Sequence, residues 1–172
     1  MAEYWDIYTV DGQKSNRIVK RGDAMAEGDY HLVAHSLIIN QKGELLIQKR
    51  TDNKESYPGY WDFGVGDSAT CGEDSRTCAM RELKEEVGID HDFSNDAPLL
   101  RSYGAHSLLD FYVVYYDGPV ENLCLQQEEV SAVAWASAKT IEKLIKEKQF
   151  IPYHAHLLPL LFEMVNHRGV HE

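Results

Sequence analysis

Glu82, Glu85 and Glu86 stand at i, i+3 and i+4 in the run Arg81-Glu82-Leu83-Lys84-Glu85-Glu86-Val87-Gly88-Ile89. On a helix that spacing puts three carboxylates on one face, where like charges repel and helix propensity gives no reason for them. A cation would resolve the conflict. A cluster of oxygen-only ligands suits a hard ion such as Mg2+, which also binds substrate phosphates. Arg81, next to the acids, can reach toward Glu85 or toward loop groups and hold the constellation still. The plainer alternative is a solvated acidic surface, the usual fate of a charge run.

The elements around these acids favour the first reading. Gly72 allows a tight loop, Asp74 is an N-cap for a helix, and Gly88 stands where a helix ends in a left-handed residue. Between the caps, at about 100° per residue, Met80, Leu83 and Val87 form an apolar face separate from the acidic one. Lys49 and Arg50 end a strand pointing toward Tyr57-Pro58-Gly59-Tyr60-Trp61-Asp62-Phe63. They can hold phosphate oxygens or be two surface cations. Tyr60, Trp61 and Phe63 can stack on a base or pack an apolar tail, and at least one of the three is expected in the core.

The 172 residues, 44% of them apolar, fit a single domain over 1–172 with one core. Residues 4–10 and 17–20 read as strands flanking Asp11-Gly12, a hairpin extension within 1–29. Residues 30–39 form a longer strand that turns at Asn40–Gly43 into 44–50. His31 and His35 share a strand face and are read as packing or hydrogen-bonding residues. After the helix come strands at 99–104, 108–116 and 130–136, a helix at 140–149 with Ile141, Leu144 and Ile145 inward, and a last helix at 155–166 with Pro159 near its first turn. This order gives an α/β fold, an α/β/α sandwich around a mixed sheet.

A net charge of −11 argues against a nucleic acid polymer as partner. No apolar run reaches membrane-spanning length, and the N-terminus lacks the basic and apolar regions of a signal peptide. Cys71, Cys78 and Cys124 are an odd number without metal-site spacing, which fits reduced thiols and a cytoplasmic location. A homodimer is left open.

The stretch from Glu73 through Arg81–Ile89 resembles the Nudix box: Gly, five residues, Glu, seven residues, then Arg-Glu-apolar-any-Glu-Glu-any-Gly-apolar. Every specified position matches except the opening Gly, where residues 67–89 begin with Asp67, preceded by Gly66. The extended start and Tyr30-His31-Leu32-Val33-Ala34-His35 resemble the branch related to isopentenyl-diphosphate isomerase. The resemblance implies hydrolysis of a diphosphate bond in a nucleoside diphosphate linked to another group, or in a similar small phosphorylated metabolite. It implies Mg2+ or Mn2+ held by Glu85 and Glu86, with Glu82 ligating or acting as base and Arg81 orienting the acidic face. The Asp67 backbone carbonyl would complete the metal shell, and Glu73 would support the loop or ligate through water. Of the adjacent pair Glu128 and Glu129, one carboxylate, Glu129 first, is expected to approach the metal.

Two alternatives stand beside hydrolysis. Isomerisation of isopentenyl diphosphate, by the same resemblance, needs a Cys and a Gly-His pair where this chain has Gly66 and Asp67-Ser68. A binding domain that kept the fold and lost activity is argued against by the intact acidic triad. Asp67 is expected to keep the loop's shape and, through its added carboxylate, to repel highly charged substrates.

Overall fold

The computed structural model describes residues 2–166. Its centre is a strand that the sequence marks by near-continuous apolarity: β3 (His31–Ile39) is parallel to β7 (Ser107–Tyr115) in register from His31 opposite Ser107 to Ile39 opposite Tyr115. Such runs suit strands covered on both faces. β6 (Leu100–Tyr103) adds to β7 antiparallel, and β4 (Leu45–Arg50) follows β3 through the Asn40–Gly43 turn. β5 (Trp61–Phe63) and β8 (Val130–Ala136) both pair antiparallel with β4.

Side-chain alternation divides the core into two layers. Leu32, Ala34 and Ile38 of β3 and Tyr112 and Val114 of β7 pack with Cys78, Ala79, Leu83 and Val87 of α1 (Ser75–Val87). Leu37, Ile39, Leu45, Ile47, Phe111 and Val113 pack on the other face with Ile141 of α2 (Ala138–Lys146) and Leu158, Leu161 and Val165 of α3 (Leu157–Asn166). The α/β/α sandwich around a mixed sheet expected from the element order is what forms. Helix α2 starts two residues before the expected position because Ser137 caps it, accepting the Thr140 amide at 3.2 Å. Pro159 falls in the first turn of α3, where no amide is needed.

β3 and β4 pair only at Ile39 and Leu45 and then part. The chain from 61 to 69 fills the gap: β5 hydrogen-bonds to β4, and residues 65–69 then bond to β3, through Ser36 with Val65, Ala34 with Asp67, and Leu32 with Ala69. Two glycines permit this wedge. A Cβ on Gly64 would sit 2.1 Å from the Ser36 carbonyl oxygen, and one on Gly66 2.0 Å from that of Ala34. The wedge leads directly into the loop before α1.

β1 (Tyr4–Tyr8) and β2 (Lys14–Lys20) form a separate two-stranded hairpin. Tyr8 exchanges backbone hydrogen bonds with Tyr30 at 2.7 and 3.0 Å, and the Trp5 ring stacks on His31 with centroids 4.0 Å apart. His35 is buried against Phe63 and Phe111, its ring nitrogen bonded to the Phe63 carbonyl. Both histidines thus have packing roles.

Candidate active site

Helix α1 is fixed at both ends by its own sequence. Asp74 accepts the Thr77 amide at 2.8 Å, and Gly88, at φ 75°, returns its amide to the Lys84 carbonyl at 3.0 Å. Ser75, Cys78, Ala79, Glu82, Leu83, Glu86 and Val87 are its buried residues. The expected separation of acidic and apolar faces is therefore corrected. Glu82 and Glu86, one turn apart, lie within the buried stripe because each is one turn from the apolar pair Cys78–Ala79 or from Leu83. Only Glu85 faces outward, and Met80 lies at the stripe's margin. Exposures of 7% for Glu82 and 5% for Glu86 rule out the solvated acidic surface.

Burial pushes the Glu82 carboxyl up to about 7, against the pull of Arg81. Burial first, and then the charge of Glu82, raises Glu86 well above the ordinary carboxylate range, while Gln48 and Lys54 act in the opposite sense. Glu86 Oε2 is buried without a hydrogen-bond partner. Arg81 grips Glu73 through two bonds, Nε to Oε1 at 2.7 Å and Nη2 to Oε2 at 2.9 Å; it also contacts Glu82 and reaches Glu85 at 3.2 Å. Glu73 in turn accepts the Thr70 amide at 2.8 Å, so its role here is to brace the loop.

Beside this buried pair lies a cavity of about 480 Å³ lined by Arg21, Arg50, Lys54, Gly66, Asp67 and Glu129, among others. It is joined to the acids electrostatically, since Asp67 acts on both Glu82 and Glu86 and Lys54 on Glu86. Glu129 is ion-paired to Lys54, whereas Glu128 is exposed. Arg50 donates to the Ser56 carbonyl at 3.1 and 3.0 Å. The Asp67 carbonyl accepts the Ala34 amide at 3.1 Å and the Cys78 thiol at 3.4 Å, and its carboxylate meets Arg21 at 3.0 Å. Asp67 is not among the residues with positive φ; the unusual backbone falls on Gly66 at φ 159°.

Two expected members of the site are elsewhere. Lys49 and Trp61 are partners across β4 and β5, and Trp61 packs into the core under α2 and α3. Alternation along β4 then places Lys49 on that same face with Ile47, opposite α1, while Arg50 alone reaches the cavity. Phe63 is fully buried. The apolar hollow between α2 and α3, around Ile141, Ile145 and Leu158, also lies on the side away from the acids. Three residues went unnoticed in the sequence: Gln48, Lys54 and Arg21. Gln48 carried a signal, standing two positions before Arg50 on the same strand face. Lys54 and Arg21 sit on a loop and a hairpin end that only the tertiary fold brings to the cavity.

The donor chemistry fits a hard divalent cation. Two buried carboxylates, one with an unpartnered oxygen, are costly unless a positive charge joins them. Among the described residues no three acidic, histidine or cysteine side chains already converge as a finished cage. Arg81, held by Glu73, Glu82 and Glu85, occupies that side of the helix instead.

The NUDIX domain family model matches residues 29–161. An uncharacterised Nudix hydrolase of Listeria innocua serovar 6a is 38% identical over 169 residues, 98% of this chain and 99% of that protein. An isopentenyl-diphosphate Delta-isomerase of Photorhabdus laumondii is 29% identical over 159 residues, covering 84% of this chain and 86% of its own. A crystal structure from Deinococcus radiodurans superposes with a TM-score of 0.75 at 19% identity, over 94% of this chain and 99% of that one.

Proposed function

We infer the reaction from one premise: the chain belongs to the Nudix family. It is a pyrophosphohydrolase, and its substrate is a nucleoside diphosphate linked to another group, or a similar small phosphorylated metabolite. Residues 1–172 are taken as one Nudix domain with a hairpin extension at 1–29. The observation that carries the reading is the buried pair Glu82 and Glu86, with its unpartnered oxygen, beside a cavity lined by Arg21, Arg50 and Lys54.

Glu85 and Glu86 would hold Mg2+ or Mn2+, with the Asp67 carbonyl and the Glu129 carboxylate at the edge of the set. The cation supplies charge neutralisation at the phosphoryl oxygens and a lowered pKa for water. Arg50 and Lys54 bind the substrate's phosphates, Arg50 by its planar fork. Water attacks one phosphorus, the bridging P–O bond breaks, and the proton lost by the water passes to a carboxylate of the box face. Glu82, buried on that face one turn from Glu86, is the group for that proton. Arg81 keeps Glu73, Glu82 and Glu85 in place without touching substrate.

The isomerase reading loses support at Gly66, where the isomerase resemblance calls for Cys. The backbone here leaves no room for any side chain, with Ala34 O only 2.0 Å from a Cβ. The test is an assay of the products released, two phosphate monoesters from a diphosphate diester and phosphate or pyrophosphate from a substrate with a terminal phosphate, with and without Mg2+, across nucleotide sugars, dinucleotides, nucleoside triphosphates and prenyl diphosphates. Metal-dependent release from a diphosphate diester is the expected result. Release from none of them, by protein shown to be folded, would refute the reading.

A further inference from the structure

Two features that stand outside the family pattern meet at one point. Asp67 is the single departure from the box motif, and Arg21 belongs to the N-terminal hairpin, before the stretch 29–161 that matches the family model. Their side chains pair, Nη1 to Oδ2 at 3.0 Å and Nη2 to Oδ1 at 3.4 Å, inside the cavity that also holds Arg50, Lys54 and Glu129. Arg21 is itself positioned. It bonds both oxygens of Glu3 at 3.1 and 3.0 Å and lies over the Trp5 ring, 5.7 Å from its centroid, and that ring is stacked on His31 of β3.

The hairpin is anchored to the box loop independently of this pair. The Asp6 carboxylate accepts the Gly72 amide at 2.7 Å and is ion-paired to Lys14 at 2.6 Å, and the Tyr4 carbonyl accepts the Cys71 amide at 2.8 Å. The hairpin is thus a wall of the cavity.

Charge accounting shows what the wall does. Lys54 is matched by Glu129, and Arg21 is shared between Glu3 and Asp67. Of the three cations lining the cavity, Arg50 alone, among the described residues, bonds only neutral atoms, those of Ser56. A substrate therefore meets one uncommitted positive charge, the exposed carboxylate of Glu55 at the cavity's edge, and the Asp67 carboxylate, whose repulsion Arg21 offsets only in part.

Resting on the proposed reaction, we propose that Arg21 is a positioning residue acting through Asp67. Together the two set the charge of the cavity so that it takes a diphosphate diester, with one negative charge per phosphorus, in preference to a nucleotide ending in a triphosphate. Asp67 supplies the rejection, and Arg21 limits it enough for the diester to enter. The carboxylate at the motif's opening position is then compensated from the extension, which explains why the departure is tolerated.

The experiment measures equilibrium binding of two non-hydrolysable probes with Mg2+ present: the methylene-bridged analogue of ADP-ribose and that of ATP. The proteins are the wild type, Asp67→Asn, Arg21→Gln and the double variant. Asp67→Asn is expected to tighten the triphosphate probe about tenfold relative to the diester, the scale of removing one nearby unit charge at a partly solvated site. Arg21→Gln is expected to weaken both probes, the triphosphate more, and the double variant to return the ratio to within about threefold of the wild type. Hydrogen exchange across residues 3–21 reports separately whether the hairpin stays docked. A ratio unchanged in Asp67→Asn with the hairpin docked overturns the proposal and leaves a purely structural ion pair. Failure of the wild type to bind either probe overturns it too. If the probes bind with the expected ratios but no diphosphate is hydrolysed, it is the proposed reaction that fails and the charge pairing stands.

Discussion

Replacing Glu82 by Gln separates what this residue costs the fold from what it gives the reaction. Its carboxyl moves from an ordinary value of 4.5 in the unfolded chain to about 7 in the folded one, chiefly because it is buried. At about 1.4 kcal/mol per pH unit, that rise amounts to roughly 3 kcal/mol between the two protonation states. The sign follows from proton uptake on folding. Below the unfolded value both states carry the proton and nothing is lost; between 4.5 and 7 stability falls as pH rises; above 7 the full penalty is present. Gln removes the charge but leaves Arg81 one acidic partner fewer, so the net gain at pH 8 is about 1–3 kcal/mol. For a chain of this size that is roughly 3–10 °C in melting temperature. In EDTA the variant is expected to melt above the wild type at pH 8 and level with it at pH 4.5, while its metal-dependent turnover falls by about 10²-fold or more. A variant that melts at or below the wild type at pH 8 without metal would refute the claim that Glu82 is held against its own desolvation.

Glu86→Gln is expected to lower turnover by about 10²-fold at saturating Mg2+ with far-ultraviolet circular dichroism unchanged; full activity would remove Glu86 from the site. Purified protein given isopentenyl diphosphate is expected to yield no dimethylallyl diphosphate by chromatography, since position 66 has no space for a thiol; product lost again in Glu86→Gln would reverse that conclusion. Arg50→Ala is expected to raise KM about tenfold with a smaller effect on kcat, in steady-state kinetics, because its proposed role is to bind the substrate's phosphates and it makes no bond to the acids. Gly64→Ala is expected to destabilise the protein by about 3 kcal/mol or more in denaturant titration, given a Cβ that would sit 2.1 Å from the Ser36 carbonyl.

The sequence showed the box helix clearly because both of its ends are written in local chemistry, Asp74 at the start and Gly88 at the finish. The central strands were legible for a similar reason, as unbroken apolar runs. What escaped was orientation. The apolar pattern picked out Met80, Leu83 and Val87, yet the buried stripe is centred on Cys78, Ala79 and Leu83 and takes Glu82 and Glu86 with it. Carboxylates do not announce burial, so no hydrophobic pattern could include them. Lys49 and Arg50, adjacent in sequence, point to opposite sides of the sheet, and register alone decided which one reaches the cavity. Arg21 and Lys54 come from segments without periodicity, and only the docking of the hairpin and the 51–56 loop brings them in.

The wedge of residues 61–69 between β3 and β4 bears on how such a chain can diversify. The loop carrying Asp67 and Glu73 is stitched into the sheet on both sides of Gly64, so its length is fixed by backbone pairing. The segment from Thr51 to Tyr60 precedes the stitch, and much of it is exposed. Residues can be inserted or lost there without moving the carboxylates. Lys54 and the Ser56 carbonyl that steadies Arg50 both sit on that adjustable span. The span that carries Lys54 and steadies Arg50 is therefore free to change length, while the loop that carries Asp67 and Glu73 is not.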